Sequence, residues 1–146
     1  MASDDYNVLF TFWLTSQAVH DLLDTALAPA GLTADEFGIY SVLTRSDTMT
    51  PTELARWMST PPTTVSSYVK RFEARGHVAR EKNPDDGRSY LIRLTSAGRK
   101  AHRAAGIRFL PALDAVAASL GSREATVKRS LENLKVAVDA AREGNA

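Results

Sequence analysis

Residues 64–98, TVSSYVKRFEARGHVAREKNPDDGRSYLIRLTSAG, decide the fold because a helix pattern and a hairpin pattern follow each other directly. In the first part, apolar residues recur at intervals of four and three residues: Val65, Val69 and Phe72. This spacing places them on one buried face of an amphipathic helix, which Gly76 is suited to end. The remaining surface of that helix carries hydroxyl and basic side chains: Thr63, Thr64, Ser66, Ser67, Lys70 and Arg71.

A β-hairpin with a charged tip is predicted directly after this helix. Residues 83–87 are rich in turn-forming residues, and the flanking segments 77–82 and 90–94 are suited to form two short strands. The hairpin tip carries four residues of functional interest: Asp86, Gly87, Arg88 and Ser89. A single charged hairpin in a largely helical chain indicates a binding element.

Two capping boxes precede helices upstream of this stretch. Thr33 with Glu36, and Thr50 with Glu53, each place a threonine three residues before a glutamate. The second box opens a short helix over 51–58, which a tight turn joins to the amphipathic helix. Two helices joined in this way form the skeleton of a helix-turn-helix, whose second helix enters the major groove of DNA.

Long helices are predicted at both ends of the chain. Apolar residues recur at helical spacing from Val8 until Pro29 and Gly31 end the first helix. Thr95 is expected to cap a long helix and Ser122 the last one, whose apolar stripe is close to heptad spacing. The predicted fold class is mainly α with a small β-hairpin wing: a winged helix-turn-helix with N- and C-terminal dimerisation helices.

Charge is distributed unevenly along the chain. Residues 1–67 hold two arginines against eight acidic residues, 68–108 hold eleven basic against four acidic residues, and 109–146 are balanced. A basic middle in a chain of net charge +1 is typical of a surface that binds a polyanion. A solvated face without a partner explains the charges equally well.

Composition and motifs argue against several classes of protein. The 146 residues suit one domain, and the lack of cysteine excludes disulfides and thiolate metal ligands. The three histidines show no metal-ligand spacing, so neither a metal nor a cofactor is expected. Because no nucleophile elbow, phosphate loop or paired-carboxylate site is present, we do not expect an enzyme. Asp4 and Asp5 argue against a secretory signal and no apolar run reaches membrane-spanning length, so a cytoplasmic protein is expected.

The chain resembles the MarR (multiple antibiotic resistance regulator) family of winged helix-turn-helix transcription factors over nearly its whole length. Residues 86–88 fit the family's Asp-x-Arg wing, and residues 94–98 fit its Leu-Thr-x-x-Gly motif. Residues 64–76 are similar to its recognition helix. Asn83 departs from the aspartate of many relatives, but asparagine is also a good turn former.

The resemblance implies a sequence-specific DNA-binding transcriptional regulator, expected to be a repressor, that binds a pseudo-palindromic operator as a homodimer. It implies one domain over 1–146, with a winged helix-turn-helix DNA-binding lobe over 33–98 and dimerisation helices over 5–30 and 99–142. The alternative is a winged-helix protein-interaction module that does not bind DNA. That alternative predicts an apolar or acidic outer face on the second helix, where this chain has hydroxyl and basic side chains.

The resemblance also assigns residues to DNA, to a partner chain and to a ligand. Recognition-helix contacts to DNA are expected from the polar residues between 63 and 71, and wing contacts from 86–89, with Asp86 pairing with an arginine to orient it. Apolar candidates for the dimer interface are Leu9, Leu113, Leu131 and Leu134. Many relatives release DNA when a small, often aromatic, anionic ligand binds. Candidates for lining such a cleft are Trp13, His20, Phe37 and Tyr40, although core packing is the favoured interpretation of each.

Overall fold

The computed structural model describes residues 6–145, so Asp4 and Asp5 and the first position of the predicted dimerisation segment lie outside the described residues. Six helices and two strands follow in order within the described part: α1 (Val8–Leu27), α2 (Ala34–Arg45), α3 (Pro51–Met58), α4 (Pro62–Ala74), β1 (Val78–Lys82), β2 (Tyr90–Leu94), α5 (Ser96–Leu120) and α6 (Glu124–Glu143). The predicted fold class, mainly helical with one antiparallel hairpin, is confirmed.

The chain divides into two compact units, one up to Leu110 and one from Pro111 onward. The first unit contains the apolar core, to which α2, α3, α4 and the hairpin all contribute. Its completely buried large side chains are Leu27, Tyr40, Leu54, Val65, Val69, Phe72 and Ile92. The predicted apolar face of the recognition helix therefore forms part of this core.

Both predicted capping boxes form, and they determine where α2 and α3 begin. The Thr33 hydroxyl accepts from the Glu36 amide while the Glu36 carboxylate accepts from the Thr33 amide, and Thr50 and Glu53 make the same reciprocal pair. Upstream, α1 passes into a short 3₁₀ turn that Gly31 ends with a φ of +76°. These local signals explain why the helix starts match the sequence pattern.

The second unit contains the end of α5, which continues as a helix through Pro111, and all of α6. The prediction that Ser122 caps α6 is wrong. A 3₁₀ turn over Gly121–Arg123 precedes α6, and Arg123 occupies the cap position in a helical conformation without a side-chain bond. Because a capping side chain needs extended backbone, the continuous turn leaves Ser122 no capping role.

The outer helices expose much apolar surface. None of the α6 residues is buried, and Leu27 is the one buried residue of α1. By length and composition alone, the helical stretch Ser96–Glu143 could cross a membrane, since one 18-residue window reaches a mean hydropathy of 1.2. The expectation that no apolar segment is long enough to span a membrane is therefore corrected for this stretch. One such helix is weak evidence for a membrane span.

Candidate nucleic-acid interface

The turn between α3 and α4 brings the two helices together as a helix-turn-helix. Ser59 ends α3 in the left-handed conformation, with a φ of +49°, and Pro61 and Pro62 then begin α4. The left-handed residue reverses the chain within a few positions, which is the geometry this motif requires.

α4 presents a polar face opposite its buried residues. Thr63, Ser67, Lys70 and Arg71 are exposed, and Thr64 and Ser66 are half-buried. The Ser67 hydroxyl donates to the Thr63 carbonyl at 3.2 Å, so it lies close to the helix surface. Small hydroxyl groups followed by cations allow a close approach to base edges and supply charge for phosphates.

The wing is the β1–β2 hairpin, paired antiparallel from Val78 opposite Leu94 to Lys82 opposite Tyr90. The loop 83–89 joins the strands, and Arg88 is exposed in it. Asn83 is buried and its Oδ1 accepts from the Asp85 amide at 3.0 Å, so asparagine does form the expected turn.

Asp86 shapes the wing tip in a way that differs from the prediction. Its Oδ1 accepts from the backbone amide of Arg88 at 2.9 Å, whereas the expected partner was the guanidinium of an arginine. The two-residue separation makes this an Asx turn, which a short carboxylate satisfies without extending toward an arginine side chain. Asp86 therefore orients Arg88 through the backbone.

Contacts that the sequence pattern did not indicate attach the wing to the helices. Met49 exchanges two backbone hydrogen bonds with Ile92, of 3.0 and 2.7 Å, which adds a third segment beside β2. Arg80 of β1 donates to Glu73 of α4 at 2.6 Å and lies 4.3 Å from the centre of the Tyr90 ring. The wing and the recognition helix are thereby joined.

The Leu-Thr-x-x-Gly motif fastens the start of α5 to the start of the wing. The Thr95 hydroxyl accepts from the Gly98 amide at 3.1 Å and donates to the Gly76 carbonyl at 2.6 Å. A Cβ at Gly98 would lie 2.1 Å from the His77 carbonyl oxygen. Thr95 is therefore the predicted cap, and the glycine permits a close backbone contact.

The buried carboxylate of Glu36, on α2, binds two arginines at the C-terminal end of α4. Glu36 is 2% exposed, and its oxygens accept from Arg71 Nη1 at 3.1 Å and from Arg75 Nη2 and Nη1 at 3.0 and 3.2 Å. Burial raises the pKa of the Glu36 carboxyl, but the bonds from Arg75, Thr33 and Arg71 outweigh this, so its pKa is lowered overall. Arg71, predicted to contact DNA, is thus half exposed and also bonded to α2.

The four residues predicted to line a ligand cleft differ in their surroundings. Tyr40 is completely buried, with its hydroxyl 2.9 Å from His77 Nδ1, so it belongs to the core, as the favoured interpretation had it. Phe37 stacks on His102 and contacts Phe109. Trp13 is 52% exposed on α1.

His20, the fourth candidate, joins α1 to the start of α2. Its Nε2 is 2.9 Å from Asp35 Oδ1 and its Nδ1 is 2.8 Å from the Ser16 carbonyl. The Ser16 and Asp35 acceptors raise the pKa of His20 above 6.5. Two acceptors facing both ring nitrogens favour the imidazolium form.

The other two histidines have the opposite character. His102 lies half-buried on α5 with Nε2 2.9 Å from the Ser41 hydroxyl. Burial, followed by the charge of Arg103, lowers the pKa of His102, and burial with the charge of Arg75 lowers that of His77.

A cavity of about 70 Å³ lies beside α2, and Arg45, Met49 and Trp57 are among its lining residues. This volume is far below the 300 Å³ or more that is usual for a small-molecule site. Among residues 6–145, no group of three or more His, Asp or Glu side chains could hold a metal ion.

The predicted dimer residues lie on apolar surface. Leu9, Leu113 and Leu131 are exposed and Leu134 is half-buried. Each belongs to a helix whose exposed residues include several large apolar side chains, so these helices show the surface expected of an interface.

Comparison with known proteins identifies relatives of the whole chain. Residues 30–89 match the model of the MarR family. The chain is 29% identical over 133 residues to the HTH-type transcriptional repressor Rv2887 of Mycobacterium tuberculosis strain H37Rv. The matched residues cover 90% of this chain and 96% of the relative. The chain is also similar to the M. tuberculosis regulator MosR (Rv1049), solved in complex with DNA, with a TM-score of 0.83, 28% identity, and coverage of 94% and 99%.

The apo structure of wild-type MarR from Escherichia coli has the same fold. Its TM-score is 0.77 at 23% identity, and the match covers 88% of this chain and 97% of that structure. The similarity includes the terminal helices as well as the winged lobe.

Proposed function

We propose that this chain is a winged helix-turn-helix transcriptional regulator of the MarR family, and that it is a repressor that binds a pseudo-palindromic operator as a homodimer. The observation that carries the proposal is the combination of a hydroxyl-rich and basic outer face on α4 with an exposed arginine at the wing tip. The relatives named above as a repressor and as a DNA complex support it.

The two elements suit different parts of a DNA duplex. A helix such as α4 fits the major groove, where threonine, serine, lysine and arginine can bond bases and phosphates. An arginine at a wing tip fits the adjacent minor groove, whose negative potential is strongest where A·T pairs narrow it. The eleven basic residues between 68 and 108 supply the charge that a phosphate backbone requires.

The apolar outer helices support the homodimer. Exposed side chains on α1 include Leu9 and Phe12, and those on α6 include Leu131 and Val127. Exposed apolar surface of this extent in a regulator is usually covered by a second chain. A symmetric dimer would place two α4 helices on half-sites about one helical turn apart.

Release by a small aromatic or anionic ligand is part of the same proposal. It rests on the family resemblance, and one of the candidate residues, Tyr40, is buried. A ligand of this kind would shift the protein toward a conformation that binds DNA less tightly.

Selection of duplexes from a random-sequence library with the purified protein tests the proposal. We expect enrichment of an inverted repeat, with affinity that falls steeply with salt. Two lobes with about three to five phosphate contacts each give a log–log slope of about −6 to −9. Absence of an enriched sequence, together with a flat salt response, would favour a protein-interaction module instead.

A further inference from the structure

We propose that Glu36 is a positioning residue that sets the orientation of α4, and thereby the base preference of the chain, by holding Arg71 and Arg75 on one carboxylate. This inference rests on the proposed DNA binding. Glu36 lies on α2 and is buried, so it would act on DNA through the recognition helix.

The position of the Glu36 carboxylate is itself determined by the capping box. Its Oε2 accepts from the Thr33 amide at 3.1 Å, while its own amide donates to the Thr33 hydroxyl at 3.2 Å. These reciprocal bonds hold the side chain at the N-terminus of α2. The carboxylate is therefore a fixed point against which a second helix can be aligned.

Arg71 lies in the last turn of α4, Arg75 caps the C-terminus of the same helix four residues later, and both reach this point. Arg75 binds both carboxylate oxygens in a two-bond arrangement, and Arg71 adds a third bond from the preceding turn. Two attachments on successive turns restrict both rotation of a helix about its axis and sliding along it. Bidentate arginine–carboxylate pairs also have a narrow preferred geometry.

Core packing alone does not impose the same restriction. Val65, Val69 and Phe72 hold α4 against the core, but apolar contacts are non-directional and tolerate small rotations. A small rotation would move the exposed Ser67 and Lys70 relative to base edges. Because base contacts depend on direction, recognition would suffer more than phosphate binding.

Loss of the carboxylate also has a predictable electrostatic effect. Without Glu36, the half-exposed Arg71 would no longer be held against α2, and one negative charge near the interface would be removed. Added positive charge strengthens sequence-independent binding to phosphates. The variant should therefore lose discrimination between sequences while keeping affinity for DNA in general.

The test compares Glu36→Gln with Glu81→Gln. Glu81 of β1 pairs with Arg93 of β2 at the surface, so its replacement makes the same change of charge without disturbing the buried carboxylate or the contact between the wing and α4. Binding of wild type and both variants is measured on the duplex that wild type enriches from a random library and on a random-sequence duplex. We expect the ratio of the affinity for the enriched duplex to that for the random duplex to fall about tenfold or more for Glu36→Gln only. This loss is comparable to that of one base contact.

Folding is monitored by circular dichroism and thermal melting. If Glu36→Gln does not fold, Arg75→Gln decides instead, because it removes two of the bonds and leaves the pair with Arg71. Its matched control is Arg93→Gln, because Arg93 pairs with Glu81 within the hairpin. The affinity ratio should fall for Arg75→Gln and not for Arg93→Gln.

The outcomes separate this inference from the proposed function. A wild-type protein that does not distinguish the two duplexes overturns both. A wild-type protein that distinguishes them, with equal ratios for Glu36→Gln and Glu81→Gln, or for Arg75→Gln and Arg93→Gln, overturns the positioning role alone.

Discussion

Gly98 lies where the first turn of α5 meets the backbone that leads into the wing. The space beside it is closed by the His77 carbonyl, while Thr95 on the preceding turn binds Gly76. A side chain at this position must displace backbone, which cannot rotate away as a flexible side chain can. The glycine of the Leu-Thr-x-x-Gly motif is thus explained by packing.

Gly98→Ala should destabilise the fold by about 1–3 kcal/mol, the usual cost of overpacking a closed site. Gly106→Ala is the matched control, because it lies on the same helix with open space around its Cα and should stabilise by about 0.4–1 kcal/mol. Urea denaturation of both variants measures the two effects. Equal stabilities for the two variants would contradict this explanation of the motif.

The pKa of His20 should lie above 6.5, and those of His77 and His102 should lie below it. The pKa of His20 is raised, so its contribution to stability is present below 6.5 and is lost as pH rises through the raised value. The pKa values of His77 and His102 are lowered, so their contribution is present above 6.5 and is lost as pH falls through the lowered values. NMR titration of the imidazole resonances measures all three.

Asp35→Asn provides the control for this assignment. It removes the negative charge from the acceptor that faces His20 Nε2 and should lower the pKa of His20 while leaving those of His77 and His102 unchanged. A His20 pKa at or below 6.5 in the wild-type protein would refute the proposed ion pair with Asp35.

At the scale of elements, the wing is a short hairpin whose position depends on other parts of the chain. A two-stranded hairpin is marginally stable alone. Here Met49 pairs with Ile92, and Arg80 joins β1 to Glu73 of α4. The tip loop then orders itself through Asn83 and Asp86, which leaves Arg88 exposed.

Arg88→Ala should leave thermal stability and oligomeric state unchanged, because Arg88 is exposed. It should weaken operator binding by about 1–3 kcal/mol and lower the salt slope by about one, as expected for a lost arginine contact. The loss should be larger on operators with A·T-rich flanks. Titrations at two salt concentrations measure these effects.

Arg93→Ala is the matched control for the wing. It removes the same charge from β2, where Arg93 pairs with Glu81 away from the tip. Affinities for Arg88→Ala equal to those of wild type, or a loss no greater than that for Arg93→Ala, would show that the wing tip does not contact DNA.

At the scale of the whole molecule, the apolar side chains of the outer helices α1 and α6 remain largely exposed among the described residues. The core of the first unit is closed, whereas α6 has no buried residue. Burying two leucine side chains contributes about 3–6 kcal/mol per chain. A second copy of the chain offers the same apolar surface and can satisfy both partners by symmetry.

Changing Leu131 and Leu134 together to Asp should produce monomers and abolish operator binding. Asn133→Asp with Val136→Asp is the control, because helical spacing puts these two positions on the other side of α6. Light scattering gives the oligomeric state of each. A dimeric Leu131→Asp/Leu134→Asp protein would place the interface elsewhere.

Local sequence signals were sufficient for most elements of the fold. Threonine–glutamate boxes located the starts of α2 and α3, and the turn residues 83–87 located the wing. These signals succeed because each acts between residues a few positions apart. The prediction that Ser122 caps α6 was wrong because the backbone there is a 3₁₀ turn that continues through Arg123 into α6. A capping residue requires extended backbone, which this turn does not provide.

The sequence by itself determined the order of elements, the apolar face of α4 and the charged wing tip, since each depends on spacing along the chain. Only the tertiary structure showed that Glu36 binds Arg71 and Arg75 and that Met49 pairs with Ile92. Glu36 already had a complete local role as a capping residue, so nothing in the sequence indicated a second one. Contacts between residues 35 to 43 positions apart depend on how the helices pack. Burial then strengthens the hydrogen bonds of a charged group, because the interior has a lower dielectric constant than water.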